Sequence, residues 1–317
     1  RAEGMIGPLG FFLHIPFPHV EVLRVLPVYA ELVRDLAQYD LVGFQTEQDL
    51  SAFRSAVREV CGAQALTAKN HVTVDGRRVG VGVFPIGVDV EAIAEQAGAA
   101  QADDQVRRVV AGVVGRKLLL GVDRLDYSKG LVERFTAYRH LLESSPEHLG
   151  RITYIQIAPL GRMNVAAYSE IRDALEQAAG HTNGQYADTD WTPIRYLNKD
   201  FPHPVLLGFL RCADVCAVTP VRDGMNLVAK EFVAAQDPEN PGALVLSNMA
   251  GAARELTDAL LVNPYDEHAV AAALHEALEL PLADRRARHA NMLAALRRNT
   301  IRHWHESFVA SLRRRCQ

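Results

Sequence analysis

The sequence predicts an α/β protein with parallel sheets, because short apolar segments alternate with amphipathic helical segments along the chain. The apolar segments are unbroken, as in residues 243–246 (Ala-Leu-Val-Leu), and such runs are typical of strands buried on both faces of a parallel sheet. The chain has 317 residues. At roughly 150 residues per domain, this length predicts about two domains.

The order of the predicted elements follows from the apolar periodicity. Strands are predicted at 9–13, 40–44, 72–74, 78–84, 117–121, 152–157, 194–196, 214–218, 243–246 and 260–262. Helices are predicted at 20–38, 46–60, 90–97, 101–114, 130–144, 165–180, 203–211, 225–236, 267–279, 283–297 and 298–317.

A domain boundary is predicted around residues 84–90, where a Pro and a Gly end a strand before a new helix. Residues 181–193 and 236–242 are rich in Asn, Asp, Gly, Pro and Thr, which predicts loops. No Gly-x-Gly-x-x-Gly follows a strand, and no Gly-x-x-x-x-Gly-Lys-Ser/Thr is present. The usual phosphate loops of dinucleotide-binding proteins and ATPases are therefore not supported.

The composition excludes several classes of protein. With 34 basic and 38 acidic residues, the net charge of −4 argues against a general nucleic-acid-binding protein. No apolar run approaches the ~18–20 residues of a membrane span. Cys61, Cys212, Cys216 and Cys316 show no complete metal-ligand spacing, which favours free thiols in a reducing cytoplasm. We therefore expect a cytoplasmic protein without nucleic-acid or membrane partners, and a homo-oligomer stays an open alternative.

The strongest chemical signal is segment 121–130 (Gly-Val-Asp-Arg-Leu-Asp-Tyr-Ser-Lys-Gly), which lies between an apolar strand and a helix. Arg124 and Lys129 can converge on a diphosphate, since Arg offers a planar fork of donors and Lys a compact charge. Ligands of open α/β sheets bind at the carboxyl ends of strands. The alternative is a surface loop whose cations pair with Asp123 and Asp126.

A second segment, 219–231, follows an apolar strand and is predicted to open a helix near Met225. Free amides at a helix N-terminus attract phosphate or sugar oxygens, and Gly224 lets the backbone approach a ligand closely. Asp223 can accept from hydroxyl groups, and Glu231 offers an acceptor for a ribose diol. The alternative is an ordinary helix start, with Asp223 as the N-cap and Glu231 in solvent.

Three further polar residues follow predicted strands. His14 enters a Pro-rigid turn, Gln45 ends the strand 40–44, and Arg162 follows the strand 152–157. A satisfied core histidine is the alternative for His14. Together with the two loops, these strand ends predict groups that meet a phosphorylated sugar and a nucleotide.

These strings resemble the trehalose-6-phosphate synthase family. The resemblance rests on 14–18 (His-Ile-Pro-Phe-Pro), 39–46 (Tyr-Asp-Leu-Val-Gly-Phe-Gln-Thr), 121–130, 222–231 (Arg-Asp-Gly-Met-Asn-Leu-Val-Ala-Lys-Glu), 262–265 (Val-Asn-Pro-Tyr) and 303–304 (His-Trp). It runs in order over essentially the whole chain. It implies a GT-B fold of two Rossmann-like domains with parallel sheets. It also implies that glucose passes from UDP-glucose to glucose 6-phosphate with retention, which forms α,α-trehalose 6-phosphate.

The resemblance implies a role for each candidate residue. In the catalytic group, Arg124 and Lys129 hold the donor diphosphate, Asp223 the glucose hydroxyls, and His14 the donor sugar. The donor-binding residues are Gly224, Met225, Asn226, Leu227, Val228, Glu231 and Phe201. The acceptor-binding residues are Arg162, which clamps the 6-phosphate, and Gln45. No metal or other cofactor is implied, and the leaving phosphate oxygen takes the acceptor proton, so Asp223 is not expected to be a nucleophile.

The resemblance also divides the chain. Residues 1–86 correspond to the C-terminal part of the acceptor domain, residues 87–300 to the donor domain, and residues 301–317 to a helix that packs back on the first domain. The family carries a further N-terminal half-domain with a Gly-rich loop before this point. We therefore expect an incomplete first domain, and a chain that only binds UDP or UDP-glucose without turning over stays an open alternative.

One departure from the family concerns the acceptor. Residues 161–164 read Gly-Arg-Met-Asn where the family carries a Ser/Thr-Arg-Gly-Asp-like string, which puts the fine specificity for the acceptor in doubt. Two alternatives to glucosyl transfer remain open. One is a pseudo-glycosyltransferase of the validamycin type, which couples a nucleotide-cyclitol to an aminocyclitol phosphate. The other is an inactive nucleotide-sugar-binding or regulatory homologue.

Overall fold

The chain folds into two compact α/β units, seen in a computed structural model that describes residues 7–66, 68–159 and 166–314. Unit 1 holds the described residues up to Gly87 and from Asn299 onward, and unit 2 is Val88–Arg298. Each predicted strand is present, with ends within one residue of the expected bounds. Among the described residues, no helix has the length and apolarity that crossing a bilayer requires.

Unit 1 is built on a four-stranded sheet with the order β1-β2-β4-β3. Its strands are β1 (Gly10–Phe12), β2 (Leu41–Phe44), β3 (His71–Val74) and β4 (Arg77–Val83). Its helices are α1 (Val20–Leu23), α2 (Tyr29–Leu36), α3 (Glu47–Cys61) and α12 (Ile301–Arg313). The core contains a cluster of buried aromatic rings, Phe17, Phe44 and Phe53, whose centroids lie 5.1–6.1 Å apart.

Two features of unit 1 correct the expectations from sequence. Strand β3 runs antiparallel to β4, because Asp75 and Gly76 both adopt positive φ (49° and 77°) and form a tight hairpin turn between them. The helix predicted at 20–38 is two helices, α1 and α2. Pro27 lies between them, lacks an amide donor and disfavours helical backbone in the residue before it.

Unit 2 is built on a six-stranded sheet in which every neighbouring pair is parallel. Its strands are β5 (Lys117–Val122), β6 (Ile152–Ile157), β7 (Ile194–Leu197), β8 (Val215–Val218), β9 (Ala243–Ser247) and β10 (Leu260–Val262). Its helices are α4 (Val90–Ala100), α5 (Asp104–Ala111), α6 (Leu131–Ser144), α7 (Ala166–Tyr186), α8 (His203–Cys212), α9 (Leu227–Ala235), α10 (Glu267–Glu279) and α11 (Leu282–Arg298).

The strand order of unit 2 decides where a ligand binds. The sheet reads β10-β9-β8-β5-β6-β7, so the chain starts in the middle, runs to one edge, and returns to the middle to build the other half. Numbered within the unit, this is the order 3-2-1-4-5-6 of doubly wound nucleotide-binding sheets. In such sheets the ligand lies at the switch point beyond the carboxyl ends of the two central strands, here β5 and β8.

Helix α7 is longer than predicted, since it continues to Tyr186 through residues expected to form a loop. The side chain of Asn183 donates to the carbonyl of Ile194 at 2.9 Å and accepts from its amide at 2.8 Å. Thr182 bonds back to the carbonyl of Ala178 at 3.0 Å. These tertiary and local hydrogen bonds outweigh the low helix propensity of Asn, Gly and Thr.

One fully buried guanidinium, that of Arg134 on α6, joins the strand ends at the switch point. Its Nη1 donates to Oδ2 of Asp123 at 2.7 Å and to Oε1 of Gln156 at 3.1 Å. Its Nε donates to Oγ1 of Thr219 at 2.8 Å, and its Nη2 donates to the carbonyl of Lys129 at 3.1 Å. Burial raises the pKa of the Asp123 carboxyl, and the Arg134 guanidinium opposes that shift. The desolvated carboxylate therefore depends chiefly on the Arg134 guanidinium, and Lys129 adds a smaller effect.

The Arg134→Met variant is expected to lower the free energy of unfolding by about 3–5 kcal/mol, because it leaves the Asp123 carboxylate buried and unpaired. The measurement is urea denaturation followed by circular dichroism. Arg139→Met on the same helix is the matched control, since Arg139 pairs with Glu143 near the surface and its loss is expected to cost less than about 1 kcal/mol. Equal losses for the two variants would contradict the central role of Arg134.

Candidate active site

The segment after β5 carries the two cations Arg124 and Lys129 at the switch point. Leu125 is fully buried and fixes this segment in the unit 2 core. The side chain of Asp126 accepts from the amide of Ser128 at 2.9 Å, which starts a short helical turn, Tyr127–Lys129. Arg124 projects outward with 66% of its side chain exposed, and its Nη2 lies 3.7 Å from Oδ2 of Asp126. At 3.7 Å this ion pair is loose, and the Arg124 guanidinium is open to a ligand.

The segment after β8 meets the segment after β5 through its backbone. The amides of Val221 and Arg222 both donate to the carbonyl of Ser128, at 2.9 and 3.3 Å. Gly130 has a φ of 61°, and a Cβ there would lie only 2.5 Å from the carbonyl oxygen of Thr219. A side chain at this position would therefore force the two segments apart.

A largely buried ion pair joins the two segments at the candidate site. Nζ of Lys129 lies 2.6 Å from Oδ2 of Asp223, and both side chains are more than four-fifths buried. The side chain of Asn226 donates to the same Oδ2 at 3.0 Å. Two of the sequence-predicted catalytic residues are therefore in direct contact, although they are 94 positions apart.

Helix α9 begins two residues later than predicted, and its cap differs from the one considered. Asn226, not Asp223, is the N-cap: its side chain accepts from the amide of Ala229 at 3.1 Å. Its φ of 77° is a left-handed conformation that Asn tolerates better than most residues. Since Asn226 supplies the cap, the Asp223 carboxylate faces Lys129 instead of the helix end.

The backbone between Asp223 and α9 presents a set of unused donors. In the described part of the chain, no acceptor is seen for the amides of Gly224, Met225, Asn226, Leu227 and Val228. Gly224, Met225 and Asn226 are buried, whereas Leu227 is exposed. Amides at the positive end of a helix dipole attract phosphate and sugar oxygens.

A third segment, which follows β9, is hydrogen-bonded to this backbone. Asp223 donates its amide to the carbonyl of Met249 at 3.2 Å and accepts from the amide of Gly251 at 3.2 Å. The amide of Ala252 donates to the carbonyl of Met225 at 2.7 Å. The backbone that carries the free amides is therefore held in place by hydrogen bonds to the segment after β9.

Glu231 and Lys230 lie one turn into α9 and have different environments. Oε1 of Glu231 lies 3.1 Å from Nε2 of His203, at the start of α8. Nζ of Lys230 is fully buried and lies 2.6 Å from Oε1 of Glu255. Burial lowers the pKa of Lys230, and Glu255 opposes the shift. The sequence did not single out His203, Lys230 or Glu255, since their partners are 25 to 28 positions away.

Phe201 lies just before α8, where its ring makes an edge-to-face contact with Phe209 at a centroid distance of 5.2 Å. Nζ of Lys199 lies 5.4 Å from the centroid of the Phe201 ring. Phe201 is thus held next to His203, the partner of Glu231. Its contact with a base remains a prediction.

The other candidates belong to unit 1 or lie outside the described residues. His14 is exposed, and its ring packs edge-on against Phe12 with a centroid distance of 4.7 Å. Gln45 is buried, and its Oε1 accepts from the amide of Ile86 at 2.9 Å. This bond gives Gln45 a structural role, and its role toward an acceptor remains a prediction. Arg162 lies outside the described residues.

Comparison with known proteins identifies the family. The family model for glycosyltransferase family 20 matches residues 1–314. The chain belongs to glycosyltransferase family 20. A trehalose-6-phosphate synthase of Cronobacter sakazakii is 50% identical over 313 residues, which are 99% of this chain and 66% of that protein. The family 20 chain therefore spans just under two thirds of the length of the curated relatives it matches.

Solved structures of the family have the same fold. A structure of an α,α-trehalose-phosphate synthase (UDP-forming) from Burkholderia xenovorans in complex with glucose-6-phosphate matches with a TM-score of 0.95 and 47% identity, over 99% of this chain and 70% of that one. A structure from E. coli bound with UDP-2-fluoro glucose matches with a TM-score of 0.95 and 49% identity, over 98% of this chain and 69% of that one. The family 20 chain has the GT-B fold that the resemblance implied.

The third segment packs so closely that Gly251 has no space for a side chain. A Cβ there would lie 2.0 Å from the carbonyl oxygen of Gly224. Gly251→Ala is therefore expected to displace the amide-bearing backbone and to lower the free energy of unfolding by about 1–3 kcal/mol, measured by urea denaturation.

Gly98→Ala on α4 is the matched control, since a Cβ at Gly98 meets nothing within 4 Å. This change is expected to leave stability unchanged or to raise it by up to about 1 kcal/mol. If Gly251→Ala behaved like Gly98→Ala, the close packing against Gly224 would be refuted.

Proposed function

We propose that the chain binds UDP-glucose at the switch point of unit 2 and takes part in transfer of glucose to glucose 6-phosphate, with retention, to form α,α-trehalose 6-phosphate. The observation that carries the proposal is the contact between Lys129 and Asp223 at 2.6 Å. It brings a diphosphate-binding cation, a sugar-binding carboxylate and a row of free amides together. The related structures that contain glucose-6-phosphate and UDP-2-fluoro glucose support this choice of substrates.

The donor diphosphate is assigned to the cations and the amides. The Arg124 side chain is exposed and only loosely paired, while Lys129 is held by the Asp223 carboxylate. In this proposal the two cations stabilise the negative charge that develops on UDP as it leaves. The amides of residues 224–228 add neutral donors at the end of a helix dipole. With this much positive potential, the reaction we propose needs no metal ion.

The sugar and the ribose are assigned to the two carboxylates. In this proposal Asp223 accepts from the glucose hydroxyls, and its Oδ2 is already engaged by Lys129 and Asn226. A carboxylate held by a cation and an amide is a weak nucleophile, which favours a sugar ligand over a covalent intermediate. Glu231, oriented by His203, is placed to accept from the ribose diol.

The acceptor is assigned to residues that follow other strands. Arg162 offers a guanidinium fork that suits a phosphate. Gln45 is carried over from the family resemblance alone. Both assignments depend on the sequence strings, and the related complex with glucose-6-phosphate supports the choice of acceptor.

Donor binding is testable by calorimetry with UDP. Arg124→Ala and Lys129→Ala are each expected to weaken UDP binding by about 10- to 100-fold, because each removes a charge-assisted contact worth about 1.5–3 kcal/mol. The loss should shrink as salt is raised, most clearly for the exposed Arg124.

Arg107→Ala is the matched control for charge, since Arg107 forms an exposed pair with Asp104 on α5. It is expected to leave UDP binding unchanged. Equal weakening of UDP binding by the Arg107→Ala and Arg124→Ala changes would refute the donor site.

Asp223→Asn should keep the affinity for UDP and abolish the extra affinity of UDP-glucose over UDP.

Transfer itself is tested by measuring release of the nucleoside diphosphate. UDP-glucose with glucose 6-phosphate is expected to release UDP, and Arg162→Ala is expected to raise the KM for glucose 6-phosphate at least 10-fold with little change for UDP-glucose, since it removes a phosphate clamp. Turnover of GDP-valienol with validamine 7-phosphate instead would establish the pseudo-glycosyltransferase. Intact UDP binding without turnover of either donor–acceptor pair would favour the inactive nucleotide-sugar-binding homologue.

A further inference from the structure

A second group of chemically active side chains lies at the opposite end of the unit 2 sheet. A cavity of about 730 Å³ opens beside the first residues of β5 and β6, where the strands begin. Its lining includes Lys117, Glu147, His148, Arg151, His275 and Glu279. The donor site is built at the other ends of these strands, so the proposed glucosyl transfer does not use this cavity.

Three of the lining residues place metal-binding atoms close together. Nε2 of His148 lies 3.0 Å from Nδ1 of His275, and Oε1 of Glu147 lies 4.0 Å from that same Nδ1. Among the residues the structure describes, no other set of three or more His, Cys, Asp or Glu side chains brings its ligand atoms within 4.8 Å of one another. The group is thus distinctive within the described chain.

The backbone fixes this arrangement from two elements. Glu147 and His148 lie on the short helical turn Pro146–His148, which follows α6 directly and is closed by hydrogen bonds from the amides of His148 and Leu149. His275 lies on α10, which packs along α6. His148 is 4% exposed, so its ring has little freedom to turn away.

The distances suit chelation of a metal ion. With metal–nitrogen bonds of about 2.0–2.1 Å, two nitrogens on one ion lie roughly 2.8–3.4 Å apart for angles of about 90–110°. The observed separation between His148 and His275 is 3.0 Å. The Glu147 side chain is 55% exposed, so its carboxylate can move the short distance that brings it onto the same ion.

Two of the three cations that line the cavity, Lys117 and Arg116, are hydrogen-bonded to other groups. Nζ of Lys117 donates to the carbonyl of Leu278. The guanidinium of Arg116 donates to Asp190 at 2.6 Å and to the carbonyl of Gly150 at 3.0 Å. Both cations are turned to other partners, while Glu279 adds a carboxylate to the cavity.

A second His pair, on α6 and α10, belongs to no group of three potential metal ligands within the described residues. The rings of His140 and His268 lie 4.3 Å apart at their centroids, but His140 directs Nδ1 at Glu143 and Nε2 at Glu267. The nitrogens of His140 are used by two separate carboxylates. This pair therefore offers a control with the same residue types on α6 and α10.

We propose that Glu147, His148 and His275 bind one divalent transition-metal ion of the zinc class, with water completing the coordination. Imidazole nitrogens with one carboxylate are a donor set that zinc and its neighbours in the first transition row accept. The ion links the turn after α6 to α10. It is a structural site, because it lies away from the donor loops.

The test uses the whole chain, freed of any histidine tag and stripped with a chelator, and calorimetry with Zn²⁺ alone. One equivalent of Zn²⁺ is expected to bind, and to raise the Tm. His275→Ala and Glu147→Gln are each expected to weaken binding at least about 10-fold and to remove the rise in Tm. Both side chains are partly exposed, so these variants are expected to fold, which circular dichroism without metal checks.

His268→Ala is the matched control and is expected to bind Zn²⁺ like the unchanged chain. Co²⁺ provides an independent readout, since a visible absorption band of bound Co²⁺ should appear in the unchanged chain and disappear in His275→Ala. The proposal is overturned by absence of saturable binding, by binding that survives both the His275 and Glu147 changes, or by an equal loss in His268→Ala.

Discussion

The buried guanidinium of Arg134 is the interaction on which the candidate site depends. A single side chain on α6 contacts groups at the carboxyl ends of three neighbouring strands: Asp123 after β5, Gln156 in β6 and Thr219 after β8. Polar groups that are buried where these strands end need hydrogen-bond partners. Arg134 supplies these partners from within the core, where an unpaired charge is costly and alternative arrangements are therefore disfavoured.

The geometry of the site follows from that anchor. Because Arg134 also bonds the carbonyl of Lys129, the turn that carries Lys129 is fixed at its end, and Nζ of Lys129 reaches Asp223 on the next segment. The absence of a Cβ at Gly130 and at Gly251 then lets the segments pack closely against each other. The free amides of residues 224–228 are consequently preorganised, and binding an anion there costs little rearrangement.

The sequence predicted the strands of this fold well, since buried parallel strands are short unbroken apolar runs, and it predicted the two central loops because polar residues follow those runs. It failed where distant contacts decide. The extension of α7 depends on Asn183 meeting Ile194, and the true cap of α9 is Asn226 because Asp223 is drawn to Lys129. Arg134 reads as an ordinary helix residue until its partners, up to 85 positions away, are known.

Helix α6 connects the two ends of unit 2. Arg134 lies in its first turn at the donor end, and the turn that bears Glu147 and His148 follows its last residue. Fourteen residues of α-helix span about 20 Å, so an ion held by His148 and His275 cannot touch a donor bound at the switch point. It can act only through the helix, by holding one end of the element whose other end holds Arg134. An effect of such an ion on donor binding would therefore be one of stability, not of chemistry.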